Sequence, residues 1–252
     1  MKELITNINK LKKANSIAGF KISFEDEGAT REDLIKFRIA TNECDLPLYV
    51  KIGGCEAKTD IFTCKNYIVD GVVSPMIESV FAVEKFVNCC SEVNYLENKF
   101  INVETKTCVN NLDEILNSPA AKSLDGFTIG RSDLAASYGL TKKSVDSKQI
   151  YDVVESSFKK IKDYGFLATM GGNITSHSKD FVTNLYKKGL LDKIETRNII
   201  MKLNDDNVKS LETIINDALF LETLIMKERR DRTEIYFNRN VKRLNDINGR
   251  IK

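Results

Sequence analysis

Short apolar runs alternate with longer amphipathic stretches along most of the chain. The β-rich runs fall at 19–24, 47–52, 71–76, 100–104, 126–130, 166–170 and 198–201. Between and after them lie segments with helical spacing. One starts near Thr30, one covers about 57–67, one continues through Phe86 and one ends near Asn117. A further one is clearest at 148–163, and the last runs from about Asp206 to Arg232. Thr30 and Asp33 have the spacing of a capping box at the first of these starts. Strands alternating with longer helices predict a parallel sheet with crossover helices. The expected fold is α/β, a TIM-type (β/α)8 barrel, irregular because only seven βα units are visible. A doubly wound open sheet would give the same alternation and stays open as the second reading. The first 18 residues read as helical and are placed beneath the barrel. No linker or composition break divides the chain, so 1–252 is expected to be one barrel domain. Residues 227–252 form a C-terminal helical extension with an extended helical tail. It starts with the charged run Lys227-Glu228-Arg229-Arg230-Asp231-Arg232 and carries Ile235, Tyr236, Phe237, Val241, Leu244 and Ile247. Those are too apolar for free solvent, and the extension is expected to pack on its own barrel or at a subunit interface.

Composition narrows the function classes. At 252 residues and 42% hydrophobic, the chain can bury one barrel-sized core. Lys and Arg number 38 against 36 Asp and Glu, a net charge of +2. That balance offers no footprint for nucleic acid or an anionic membrane, so neither is expected as a partner. No apolar run has the roughly 18 residues of a membrane helix, and no signal peptide is read at the start. Cys44, Cys55, Cys64, Cys89, Cys90 and Cys108 form no C-x-x-C pair, which argues against a cysteine zinc site. They are read as reduced thiols of a cytoplasmic protein.

In a parallel βα architecture, sites form at the C-terminal ends of the strands. The polar residues expected there are Glu25, Asp26 and Glu27; Lys51; Ser74 and Glu78; Asn102 and Glu104; and Arg131, Ser132 and Asp133. Glu104 and Asp133 end consecutive strands, which lie roughly 5 Å apart. Carboxylates that close repel unless a cation lies between them. A hard divalent ion, Mg²⁺ or Mn²⁺, suits such a pair and would act as a Lewis acid on a ketone and its enolate. The alternative is that each acid caps the helix after it. Gly53-Gly54 is read as a tight turn or a pocket edge. Gly171-Gly172, ahead of Asn173 and Ser176, is read as a loop or a phosphate cradle.

Three segments carry more than spacing: Val73-Ser74-Pro75-Met76-Ile77-Glu78-Ser79, Asn102-Val103-Glu104-Thr105, and Asp125-Gly126-Phe127-Thr128-Ile129-Gly130-Arg131-Ser132-Asp133-Leu134-Ala135-Ala136-Ser137. In content and order they resemble the HpcH/HpaI aldolase/citrate lyase family of the phosphoenolpyruvate/pyruvate-binding barrels. The likeness is close over about 19–140 and loose elsewhere. It implies a (β/α)8-type barrel and a divalent metal on Glu104 and Asp133. It also implies a pyruvate carboxylate received by backbone amides near Gly130, Arg131, Ser132 and Asp133, with Pro75, Glu78 and Asn102 around the pocket. Family members commonly form trimers or hexamers, often by exchanging C-terminal helical parts, so a homo-oligomer is expected.

Two positions depart from the family pattern. Lys51 stands where the family usually has an arginine; it can stabilise an enolate, act as base or nucleophile if desolvated, or simply pair with Glu25, Glu27 or Glu78. The histidine base of the aldolase branch is missing from Phe24-Glu25-Asp26-Glu27-Gly28. Glu25 or Glu27 could take that role, or the lone His177. The resulting expectation is a metal-dependent C–C lyase of the class II aldolase type, acting on a 2-oxo acid (the pyruvate enolate) and an aldehyde. The alternatives are a CoA-ester lyase like the citrate lyase β side, or a catalytically silent barrel subunit.

Overall fold

The alternation in β1 (Ile17–Ser23) sets the pattern of the molecule: Phe20 and Ile22 are buried toward the helices, while Lys21 and Ser23 turn to the barrel interior. The computed structural model describes residues 2–14, 16–95 and 97–251. Helix α1 (Lys2–Lys13) precedes β1 and buries Ile8 and Leu11. Then follow α2 (Arg31–Glu43), β2 (Leu48–Lys51), α3 (Lys58–Asn66), β3 (Gly71–Ser74), α4 (Val80–Glu92) and β4 (Asn98–Val103). The chain continues through α5 (Lys106–Asn110), α6 (Leu112–Asn117), β5 (Gly126–Gly130), α7 (Arg131–Ser137), α8 (Lys148–Asp163), β6 (Leu167–Gly171) and α9 (Lys179–Lys187). It ends with β7 (Lys193–Glu195), β8 (Ile199–Lys202), α10 (Asp205–Lys209) and α11 (Leu211–Asn248). Among the described residues the eight strands close into a ring in chain order, which excludes the open doubly wound sheet. The capping box at Thr30 and Asp33 is present at the start of α2.

The ring holds two apolar layers. Outward-facing residues such as Val72, Ile101, Val103, Phe127, Ile129, Ala168 and Met170 pack under the helices. Inside, Tyr49, Val73, Phe100 and Ile200 plug the barrel, with Tyr49 and Phe100 edge to face at 5.7 Å between ring centroids. Glycines make room for this plug: a Cβ on Gly71 would lie 2.5 Å from the Tyr49 ring, and one on Gly126 would lie 2.9 Å from Phe100. Above the plug the interior becomes polar.

The seventh and eighth strands differ from the sequence expectation. The run at 198–201, read as a seventh parallel strand, is β8, and it pairs antiparallel with both β7 and β1. The actual seventh strand, Lys193-Ile194-Glu195, is too short and too polar for its periodicity to show. Thr196-Arg197-Asn198 turns the hairpin, with the Thr196 N–H donating to the Ile199 carbonyl at 2.9 Å. Because β8 runs backwards, its N-terminal end and the hairpin lie at the mouth of the barrel. Its C-terminal end lies at the base, from which α11 rises beside β8.

The last helix is also longer than expected. α11 has 38 residues, about 57 Å at 1.5 Å per residue. Leu211, Ile214, Ile215, Ala218, Leu221 and Ile225 are buried on the barrel. Arg229 and Arg232 fasten it to Asp33 at the start of α2. Up to Asn248 the extension is therefore the continuation of one helix rather than a separate element, and from Ile235 to Ile251 it is exposed; Lys252 lies outside the described residues. No helix among the described residues is long and apolar enough to cross a membrane.

Candidate active site at the barrel mouth

A cavity of about 370 Å³ opens at the mouth. Its lining includes Lys51, Asn102, Glu104, Gly130, Ser132 and Asp133, so the residues expected from β2, β4 and the start of α7 come together there. Glu104 is only 3% exposed. One carboxylate oxygen accepts the Met76 N–H at 2.9 Å, and the other accepts Asn102 Nδ2 at 3.0 Å. Met76 sits at φ +52°, a left-handed conformation uncommon for a side-chain-bearing residue. Held there, the backbone after Pro75 turns its N–H onto Glu104.

Burial pushes the Glu104 carboxyl above its ordinary range, and the nearby Asp133 charge adds to this. The Met76 N–H, the Lys51 ammonium and Asn102 act in the other direction. Neither acid caps its helix by a side-chain bond to the cap. The Thr105 hydroxyl caps α5, and the Gly130 cap of α7 receives no side-chain hydrogen bond. Among the described residues, the buried Asn102 Oδ1 at the cavity wall has no hydrogen-bond partner.

The other sequence candidates are spread more widely. Lys51 lines the cavity and reaches Asp26 at 3.5 Å, rather than Glu25, Glu27 or Glu78. Glu25 is turned away toward the Gly53 turn, where its carboxylate lies 3.2 Å from the position of a Cβ on Gly53. Glu27 is at the cavity edge, held by Asn198 Nδ2 at 3.1 Å and by Arg229 at 3.5 Å. Burial raises its carboxyl above the usual value. Pro75 and Glu78 lie beside the cavity without lining it; the Glu78 carbonyl accepts from Asn111. His177 is exposed in the turn before α9, outside the lining.

Arg131 is fully buried and points away from the cavity. Its guanidinium donates to the Gly171 and Gly172 carbonyls, Ser178 and Asp146, and lies 4.9 Å over the Phe181 ring. It therefore organises the loop after β6, and only its backbone faces the site. A Cβ on Gly172 would lie 2.5 Å from both the Arg131 and Ser132 amide nitrogens.

Residues 39–171, just over half of the chain, match the HpcH/HpaI aldolase/citrate lyase family. The chain belongs to that family. A 2-keto-3-deoxy-L-rhamnonate aldolase of Escherichia coli (strain 536 / UPEC) is 35% identical over 85 residues, 32% of this chain and 30% of that protein. The enzyme of the same name from Shigella dysenteriae serotype 1 (strain Sd197) is 33% identical over 78 residues, 31% of this chain and 28% of that protein. The match thus spans less than a third of these curated relatives. Among solved structures, an HpcH/HpaI aldolase/citrate lyase family protein from Burkholderia cenocepacia J2315 superposes with TM-score 0.62 at 14% identity, over 90% of both chains. Citrate synthase SbnG gives 0.59 at 15% identity, over 89% of this chain and 98% of that one. At such identities these two structures speak for the fold alone.

The family segment ends at Gly171, and the far wall of the cavity lies mostly outside it. That wall holds Lys21, Glu195, Thr196, Arg197, Leu219 and Glu222, none of which was singled out from the sequence. Lys21 carried a signal. It is a charged residue between Phe20 and Ile22, and period-2 alternation puts it inside any barrel that buries those two. Glu195 carried none, because its strand was not recognised.

Proposed function

We propose that this chain is a carbon–carbon lyase of the metal-dependent aldolase type, acting on a 2-oxo acid such as pyruvate through its enolate, with an aldehyde as the second substrate. The observation that carries this reading is the pair of acids at the barrel mouth, buried Glu104 and cavity-lining Asp133, beside the unpartnered Asn102 Oδ1. Among the described residues no three His, Cys, Asp or Glu side chains converge into a metal cage. A site of two carboxylates, completed by water and substrate oxygens, fits Mg²⁺ or Mn²⁺ rather than a softer ion. Glu104 and Asp133 would hold the ion. Bound there, it would supply Lewis acidity to the ketone oxygen.

The rest follows from the chain's own groups. Lys51 presents an ammonium, kept near the acids by Asp26, to the negative charge that develops on oxygen. Gly130 and Gly172 let backbone approach closely, so the amides of Arg131 and Ser132 can receive the carboxylate of the 2-oxo acid. Asn102 fixes the orientation of Glu104. The relatives named as aldolases support the reaction class.

The free cysteines support a reducing, cytoplasmic setting. The exposed face of α11, with Phe237, Val241 and Leu244, supports assembly into a homo-oligomer through the C-terminal helix. It adjoins a groove of about 550 Å³ lined in part by Ile225, Met226 and Phe237.

The test follows exchange of pyruvate methyl protons into deuterated water by NMR, with Mg²⁺ or Mn²⁺, then with a chelator. Exchange should require the metal and fall at least ~10³-fold, about 4 kcal/mol of barrier, in Glu104→Ala. Metal binding with neither exchange nor oxaloacetate decarboxylation would shift the reading to a CoA-ester lyase or a silent subunit.

A further inference from the structure

The mouth of the barrel contains a second carboxylate centre facing the first. β5 and β6 pair with Gly130 opposite Gly171, about one strand spacing (~5 Å) apart. Both positions turn inward, and neither has a side chain. Each glycine is overlain by the acid of the strand beyond it. Glu104 on β4 has an oxygen 2.8 Å from where a Cβ on Gly130 would be. Glu195 on β7 has its Oε1 2.9 Å from where a Cβ on Gly171 would be. A bare two-glycine strip therefore lies between two buried carboxylates that lean toward each other across it. One belongs to the proposed metal pair. The other is paired with Lys21, whose ammonium donates to Glu195 Oε1, the two side chains being 11% and 7% exposed. Among the described residues, Oε1 is the only Glu195 side-chain oxygen engaged by the protein, and the residue lines the cavity. Lys21 is fixed in turn, because its N–H donates to the Asn198 carbonyl at 2.9 Å and its carbonyl accepts Asn198 Nδ2 at 3.0 Å.

The other acid–base candidates are engaged elsewhere. Asp26 pairs with Lys51, Glu222 accepts the Asn198 N–H at 2.9 Å, Glu25 faces the Gly53 turn, Glu27 is held by Asn198 and Arg229, and His177 is outside the cavity. We propose that Glu195 is the acid–base group of this site, carrying the proton to and from C3 of a 2-oxo acid lying over the Gly130–Gly171 strip. In the forward step the Glu195 carboxylate takes a C3 proton. The C–H electron pair becomes the C2=C3 π bond, and the carbonyl π pair moves onto the C2 oxygen, on the Glu104 side. Return of the same proton to C3 regenerates the keto acid. This assignment rests on the 2-oxo-acid reading above and deepens it.

Decarboxylation separates the two ideas. Oxaloacetate losing CO₂ yields the same enolate without any proton abstraction, so an acid–base group is not needed to form it. The experiment compares wild type, Glu195→Gln and Glu195→Asp with Mn²⁺ in three measurements. These are pyruvate methyl exchange into deuterated water, oxaloacetate decarboxylation above the free-metal rate, and calorimetric binding of oxalate, a planar mimic of the enolate. The proposal expects exchange to fall at least 100-fold in both variants. Decarboxylation and oxalate affinity should stay within about threefold of wild type. Exchange preserved in Glu195→Gln overturns it. So does parallel loss of all three readouts, which would make Glu195 a structural or ligand-holding residue. If wild type decarboxylates but exchanges no protons, the 2-oxo-acid reading stands and the Glu195 assignment falls. If wild type does neither and binds no oxalate, both fall.

Discussion

The two walls of the cavity are built on different terms. The wall from β3 to β5 carries Glu104, Asn102 and Asp133, lies within the family match, and fixes its acid with a backbone N–H and an amide. The wall from β7 through β8 to β1 lies outside that match and fixes its acid with an ammonium. On the first wall burial pushes the carboxyl up, and among the described residues the neighbouring Asn102 Oδ1 is unpartnered, an arrangement that a cation would relieve. On the second, the counter-charge is already part of the protein. One wall is prepared to receive a charge, and the other brings its own.

That contrast can be broken or sharpened in order of effect. The largest change is expected on the second wall. Lys21→Met would strand Glu195 as an uncompensated buried charge and cost about 3–5 kcal/mol, read as a fall in denaturant midpoint. Combining it with Glu195→Met should recover most of that loss. If the double variant is no more stable than Lys21→Met alone, the two residues do not act as a pair. A smaller change is expected from the glycine strip. Gly171→Ala and Gly130→Ala each place a methyl under 3 Å from one acid, Glu195 and Glu104 respectively. Each should cost about 1–3 kcal/mol in stability. Metal affinity should fall for Gly130→Ala and hold for Gly171→Ala, as measured by Mn²⁺ titration. Equal effects on metal affinity would mean that the walls are not separate.

The smallest change concerns Glu27, at the outer edge of the second wall. Burial raises its folded carboxyl above the ordinary glutamate range. The folded state then holds a proton that the unfolded chain releases, so the related stability is present below the ordinary glutamate range and lost as pH rises through the raised value. Glu27→Gln removes that dependence. Its melting temperature relative to wild type should climb as pH increases through this window. A constant difference would place the effect elsewhere.

The same division explains what could be read from the sequence. Six parallel strands announced themselves because Val, Ile and Phe recur in runs such as Phe127-Thr128-Ile129 between clear turns. The position of Glu104 and Asp133 at the mouth was legible because the first directly follows β4 and the second lies in the first turn after β5, both within recognisable segments. Arg131 was legible in its backbone position but not in its side chain. It stands among site residues in the sequence, yet its side chain turns inward to Asp146, Gly171 and Gly172. Direction at a strand end is set by packing, which spacing does not encode. β7 was invisible for a different reason: three residues, two of them charged, offer no pattern, and their place is set only by the strands on either side. α11 was read as a helix to Arg232 plus a helical extension, because the apolar stripe that packs on the barrel ends at Ile225 and the later turns are exposed.

The reversed eighth strand also bears on how the ring can be assembled. A parallel partner for β7 would need a crossover of a dozen or more residues. Here three residues suffice, so β7 and β8 can pair as a local hairpin on the microsecond scale of such structures. The remaining ladder, between β1 and β8, joins segments roughly 180 residues apart and bears the greatest loop-closure entropy. Lys21 belongs to one side of that seam, and Glu195 to the hairpin on the other. Their contact forms only as the ring shuts, so the ion pair reports whether the barrel is closed.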